Sequence, residues 1–399
     1  MSKLEQLRDI GQAPWLDFVD RKFLDAGGLK KLVDEDGVTG VTSNPTIFEK
    51  AMGAGDAYAA GFAEFDKANP SAEPMARYES QAVKDIQAAC DVLRPVYDRL
   101  DGKDGYVSLE VSPYLALKGP ETAEEAERLW KAVDRPNLMI KIPGTDDGVR
   151  AIRDTIAKGI NVNVTLLFSV ESYRNVAHAY VEGLEERVSK DMPVDKIASV
   201  ASFFISRIDG KIDDKIDAGQ GGDEAKALKG KVAIANAKLA YAWYQEFIAS
   251  DRWQKLAAKG AQPQRLLWAS TGTKNPDYSD TLYVDELIGP DTVNTMPPKT
   301  MDAFRDHGTV KVTLTEDVEG ARKTIADAER LGLDLDRTLE ALQAGAAASF
   351  RGRECTTVPL PQLNPVRSRS FAERRSTTVP GGQAGTLAGA MSSTCGASP

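Results

Sequence analysis

Eight times between residues 15 and 296, a short apolar run gives way to a longer stretch of helical character. Short runs rich in β-branched residues and bounded by turn residues read as buried strands; apolar residues recurring every three to four positions read as helices. The strand runs are 15–19, 37–43, 105–113, 137–142, 159–168, 197–206, 265–271 and 291–296. Helices are expected over 2–8, 21–34, 122–133, 147–158, 169–189, 225–250, 253–259, 300–306 and 315–331, with another beginning at 335. A turn is expected at Gln12-Ala-Pro14, a charged stretch follows the sixth strand, and Thr122 with Glu125 three residues on reads as a helix cap. Strands that alternate with helices build an α/β fold with a parallel sheet, and eight of them close into a (β/α)₈ TIM barrel. A long helical insert over 46–101 follows the second strand. The open doubly wound sheet is the rival, but no Gly-x-Gly-x-x-Gly opens a helix after the first strand, and no Gly-x₄-Gly-Lys-Ser/Thr loop occurs.

Composition narrows the function classes. The net charge of −9 argues against a nucleic-acid partner, yet a few clustered cations can still hold a small anion. No run of about 18 apolar residues exists, so no membrane partner is expected. The N-terminus carries no signal-peptide core, which makes a cytoplasmic location the expectation. Cys90, Cys355 and Cys395 form neither a disulfide framework nor a zinc pattern. The two histidines, His178 and His307, lie in no ligand cluster, so neither a metal nor a cofactor is expected.

The barrel is expected to occupy 1–345. From Ala346 to Pro399 there are six arginines and two glutamates, without lysine or aspartate and without a helical period. That abrupt shift reads as a disordered, low-complexity tail translated in a shifted frame; a native disordered tail is the alternative.

In a barrel, chemistry collects at the C-terminal ends of the strands. The polar residues placed there are Asp17, Asn44, Glu110, Lys141, Asn163, Thr165, Ser202, Arg207 and Lys274. Lys141 is a lone amine in the apolar strand Asn137-Leu-Met-Ile-Lys-Ile142. It could snorkel to water as a strand-end lysine. It could instead be a Schiff-base nucleophile, which needs low-dielectric walls that favour the neutral amine. Asn163 and Thr165 could be core hydrogen-bonding groups, and Glu110 and Asp17 could merely neutralise Lys141. Convergence of an amine, two carboxylates, amides and cations at one end favours a site. Lys141 would condense with a ketone, Glu110 and Asp17 would move protons, Asn44 and Asn163 would bind hydroxyls, and Arg207, Ser202 and Lys274 would hold a phosphate.

All of these but Asp17 and Lys274 sit in Gly40-Val-Thr-Ser-Asn-Pro-Thr-Ile-Phe48, Ser108-Leu-Glu-Val-Ser112, Met139-Ile-Lys-Ile-Pro-Gly-Thr145, Ile160-Asn-Val-Asn-Val-Thr-Leu-Leu-Phe-Ser169 and Ala201-Ser-Phe-Phe-Ile-Ser-Arg-Ile-Asp209. Taken together, the chain from about residue 15 to 340 resembles the class I transaldolases of the pentose phosphate pathway, in the family's order of motifs. The resemblance implies a Schiff base on Lys141, acid–base action by Asp17, and a catalytic water held by Glu110 and Thr165. It also implies that Asn44 and Asn163 bind the dihydroxyacetone part, that Ser202 and Arg207 bind phosphate, and that Phe204 walls the pocket. Many relatives carry an arginine as second phosphate cation; here Ala269-Ser-Thr-Gly-Thr-Lys274 supplies Lys274, which lacks the bidentate fork. That form and the long insert are similar to the longer bacterial subgroup. The family typically ends in an acidic amphipathic helix near the site mouth, which the tail would replace. Phosphorylated sugars are the expected partners, with a homodimer left open. A plain aldolase of the same fold, or an inactive barrel used for binding, are the alternative readings.

Overall fold

A computed structural model of the chain describes residues 1–53, 56–112 and 119–352. Its strands are β1 (Gln12–Leu16), β2 (Gly40–Val41), β3 (Tyr106–Glu110), β4 (Leu138–Pro143), β5 (Val162–Leu167), β6 (Ser199–Phe204), β7 (Arg265–Ala269) and β8 (Thr292–Met296). Each pairs in parallel with its sequence neighbours, and β1 pairs with β8, so the sheet closes into the expected barrel. The insert between β2 and β3 is helical, with its main helices at Pro45–Gly53, Ala59–Ala68 and Pro74–Arg99. Among the described residues no helix is long and apolar enough to cross a membrane.

Alternation along the strands separates two cores. Ala13, Trp15, Tyr106, Met139, Val200, Leu267 and Val293 fill the barrel interior. Leu16, Val41, Val107, Ile140, Val164 and Phe203 face the helices instead. Trp15 is fully buried, and a Cβ on Gly40 would fall 2.3 Å from its ring, so β2 must leave that place empty. The insert is tied to the segment after β1 where half-buried Arg21 pairs with buried Asp85, and the Tyr58 hydroxyl donates to Asp85 at 2.7 Å.

Several expected boundaries are corrected. Gln12-Ala-Pro14 is strand rather than turn, and β1 stops before Asp17. A proline is tolerated there because of where its missing N–H points. In a strand a residue's N and O point to the same side; Pro14 O accepts from Thr39 N, so the missing N–H also faces the β2 side, where the strand begins only at Gly40, opposite Trp15. The charged stretch after β6 is the helix Ser206–Asp217. The helix expected over 21–34 is two, Arg21–Asp25 and Gly28–Asp36, separated at Gly27 with φ 73°. Thr122 lies inside the helix Gly119–Val133 and therefore does not cap it. The last helix, Leu335–Gly352, continues past residue 345. From 353 onward the expected shifted-frame tail lies outside the described residues.

Candidate active site

The C-terminal ends of the strands surround a cavity of about 780 Å³. Lys141 enters it from β4, and only 7% of the residue is exposed. Its register partners are Glu110 on β3 and Asn163 on β5, which places the amine between a carboxylate strand and an amide strand about 4.8 Å away on each side. Lys141 Nζ donates to the Ser43 carbonyl at 3.1 Å. Half-buried Glu110 and buried Thr165 share the lining.

Asp17 faces the same cavity from just beyond β1. Burial raises its carboxyl above the ordinary aspartate range, opposed by the charge of Lys141, a hydrogen bond from Thr42 and the charge of Arg207. The Thr42 hydroxyl lies 2.8 Å from Asp17 Oδ1 and 2.7 Å from the Thr295 hydroxyl. Asn44 accepts from Ile47 N at 3.0 Å, closing the first turn of the helix Pro45–Gly53 and leaving its Nδ2 for the cavity it lines. Asn163 is the one expected site residue off the lining. Its Nδ2 donates to Ser108 Oγ at 2.9 Å and its Oδ1 accepts from Ser202 Oγ at 2.7 Å. Ser202 lines the cavity, with its proton directed to Asn163.

Residues 14–353 match the family model described as Transaldolase/Fructose-6-phosphate aldolase. The chain belongs to that family. It is 49% identical to the Trichodesmium erythraeum "Transaldolase" over 348 residues, covering 85% of this chain and 91% of the relative. The Streptomyces avermitilis "Transaldolase 1" is 48% identical over 351 residues, with 88% and 92% covered. The Thiobacillus denitrificans "Transaldolase" is 46% identical over 350 residues, with 88% and 97% covered.

On the far wall of this transaldolase-family barrel stand the cations. Arg207 is exposed, and its guanidinium lies 4.8 Å from the centre of the Phe204 ring, which stacks on Phe168 at 5.2 Å. A cation over a ring face is held electrostatically, so Phe204 orients Arg207 as well as walling the cavity. Lys274 is also exposed; burial of its surroundings and the charge of Arg207 hold its amine below the ordinary lysine range.

Sequence reasoning missed Thr42, Thr295, Leu166 and Lys211 on the lining. Alternation from Gly40 through Thr42 to Asn44, and from Val293 to Thr295, carried the first two. Lys211 follows Arg207 by four residues, a relation visible only once the segment is a helix. Leu166 gave no signal. A register shift between Val164 and Leu167 and a left-handed Leu166 backbone (φ 63°) turn toward the cavity a side chain that strict alternation sends outward. Ala341, Leu342, Gly345 and Ala346 of the last helix close the mouth. Among the described residues no group of three or more His, Cys, Asp or Glu could hold a metal ion.

Proposed function

We propose that the barrel transfers a three-carbon dihydroxyacetone unit from sedoheptulose 7-phosphate to glyceraldehyde 3-phosphate through a Schiff base on Lys141. The products are erythrose 4-phosphate and fructose 6-phosphate. The chain is thereby a transaldolase, a transferase of pentose phosphate metabolism. The observation that carries this reading is a buried amine beside Glu110, with Asp17 on the same cavity.

Each step has a group suited to it. The Lys141 amine adds to the donor ketone, and loss of water leaves an iminium that can take up an electron pair. Asp17 accepts the proton of the C4 hydroxyl, the C3–C4 bond breaks, its electrons pass to the iminium as an enamine, and the aldehyde product departs. The enamine then attacks the acceptor aldehyde, and Asp17 returns its proton to the new hydroxyl. Glu110 and Thr165 flank the amine and hold the water lost and later regained. Asn44 presents its amide to the ketose hydroxyls, while Asn163 acts from below, fixing Ser202 and Ser108. Ser202 lines the phosphate side, and Arg207 and Lys274 supply the charge.

Arg207→Ala tests the phosphate assignment. A charge-assisted pair is worth ~1.5–3 kcal/mol, so KM for phosphorylated donors is expected to rise roughly 10- to 150-fold, while turnover of unphosphorylated fructose changes little. Equal losses on both donors would make Arg207 structural.

A further inference from the structure

Arg207 and Lys274 repel one another, and they reach the cavity from different segments. Arg207 stands on the helix Ser206–Asp217, Lys274 on the stretch between β7 and the short helix Leu282–Asp285. Some contact must hold the second segment against the first. Besides a backbone bond from Ser206 N to Ser270 O, three side-chain contacts hold the segment and the short helix that ends it, all from one face of the helix. Ser206 Oγ lies 2.9 Å from Ser270 Oγ. Asp213 Oδ2 accepts from the Tyr278 hydroxyl at 2.6 Å, and Asp209 Oδ2 accepts from the Tyr283 hydroxyl at 2.9 Å. Positions 206, 209 and 213 follow the i, i+3, i+7 spacing of a single helical stripe, while Arg207 and Lys211, four apart, make the neighbouring stripe on the cavity.

We propose that Asp213, with Asp209 and Ser206, is a positioning residue that fixes Lys274 beside Arg207 and so sets the phosphate site. This rests on the reading of those two cations as phosphate ligands. Lysine is a point charge on a flexible stem, without the planar fork that lets arginine find its own geometry. Its placement therefore depends on the backbone from which it hangs. That backbone is anchored close by: Tyr278 N donates to Asn275 O at 3.2 Å and Asp277 N to Asn275 Oδ1 at 3.0 Å, so a tight turn begins directly after Lys274. Tyr278 is the far end of that turn, and its ring has a prepared seat. Gly230 (φ 71°) would place a Cβ 2.9 Å from the Tyr278 ring, and its N–H points to Asp213 Oδ1 at 3.4 Å. Asp209 is anchored likewise by Ala233 N at 2.8 Å. Both carboxylates are buried, and burial raises each above the ordinary range, Asp209 to about 7.

Tyr278→Phe removes the hydroxyl and keeps the ring in its seat. It is expected to raise KM for fructose 6-phosphate about 3- to 10-fold, a part of the loss from deleting a cation outright, with kcat and the kcat/KM for unphosphorylated fructose changing less than about twofold. In a Lys274→Ala background the same change should add nothing further, because a residue that acts through Lys274 has nothing left to position. An undiminished effect in that background, a loss shared equally by both donors, or no effect at all would overturn the inference. Should Tyr278→Phe not fold, Asp213→Asn carries the same cycle. Arg207→Ala separates the two levels: if it alone loses phosphate selectivity, the positioning role fails, and if it shows no selectivity, the phosphate reading itself fails.

Discussion

Lys141→Ala is expected to lower transaldolase turnover on the order of 10⁴- to 10⁶-fold, with the fold intact. Losses of that order follow when a covalent nucleophile is removed from a site whose other groups act only together with it. No other amine can stand in. Lys50, Lys211 and Lys274 line the same cavity, but Lys50 stands on the helix Pro45–Gly53 and the other two on the wall that carries Arg207, and none has Glu110 as its strand partner. Truncation leaves the Ser43 carbonyl without the donor it now has, next to Glu110 on the neighbouring strand. Steady-state rates with sedoheptulose 7-phosphate and glyceraldehyde 3-phosphate, alongside a circular-dichroism spectrum, check the two halves of the statement. Retention of more than a few per cent of the rate would contradict it.

Asp17→Asn is the second large effect. General acid–base groups contribute typically ~10²–10⁴-fold, and the asparagine can neither take nor return the aldol proton. Because burial raises the Asp17 carboxyl, the acidic limb of kcat/KM should lie above the ordinary aspartate value of 3.8 and vanish in the variant. The sign for stability runs the other way. A carboxyl whose folded pKa is raised contributes most below its unfolded value and loses that contribution as pH rises through the folded one. Desolvation thus works against the ionised carboxyl in the folded chain, and Asp17→Asn should melt no lower than the native chain at pH 7 while losing most activity. A pH–rate profile and a thermal melt at pH 7 measure both.

The barrel and most of the side chains on its cavity are legible in the sequence for one reason: strand periodicity is local. Lys141, Glu110 and Thr165 each lie on short apolar runs whose alternation puts them on the inward face. What stayed hidden depended on tertiary context. The start of β1 was obscured by Pro14, harmless only because β2 is two residues long. The helix Ser206–Asp217 reads only as a charged stretch because Asp209 and Asp213 occupy its buried face, where a periodicity test looks for apolar residues. Those carboxylates are buried because tyrosines from another segment meet them, a relation more than 60 residues long in sequence. Asn163 shows the converse. Its position was read from alternation, but its engagement by Ser108 and Ser202 needed three strands in register. Leu166 escapes strict alternation because a bulge breaks it. Composition shifts after residue 345, yet the last helix runs to Gly352 and brings Gly345 and Ala346 to the cavity.

The proposed mechanism requires a ketose to become covalently bound to one particular amine. Borohydride added to the chain with fructose 6-phosphate should reduce the iminium and leave a stable adduct on a single peptide, the one containing Lys141, in the mass spectrum of a digest. Lys141→Ala should leave no adduct, and erythrose 4-phosphate added before the borohydride should drain it from the native chain. An adduct on Lys274 or Lys211, or none on the native chain, would contradict the Schiff-base mechanism.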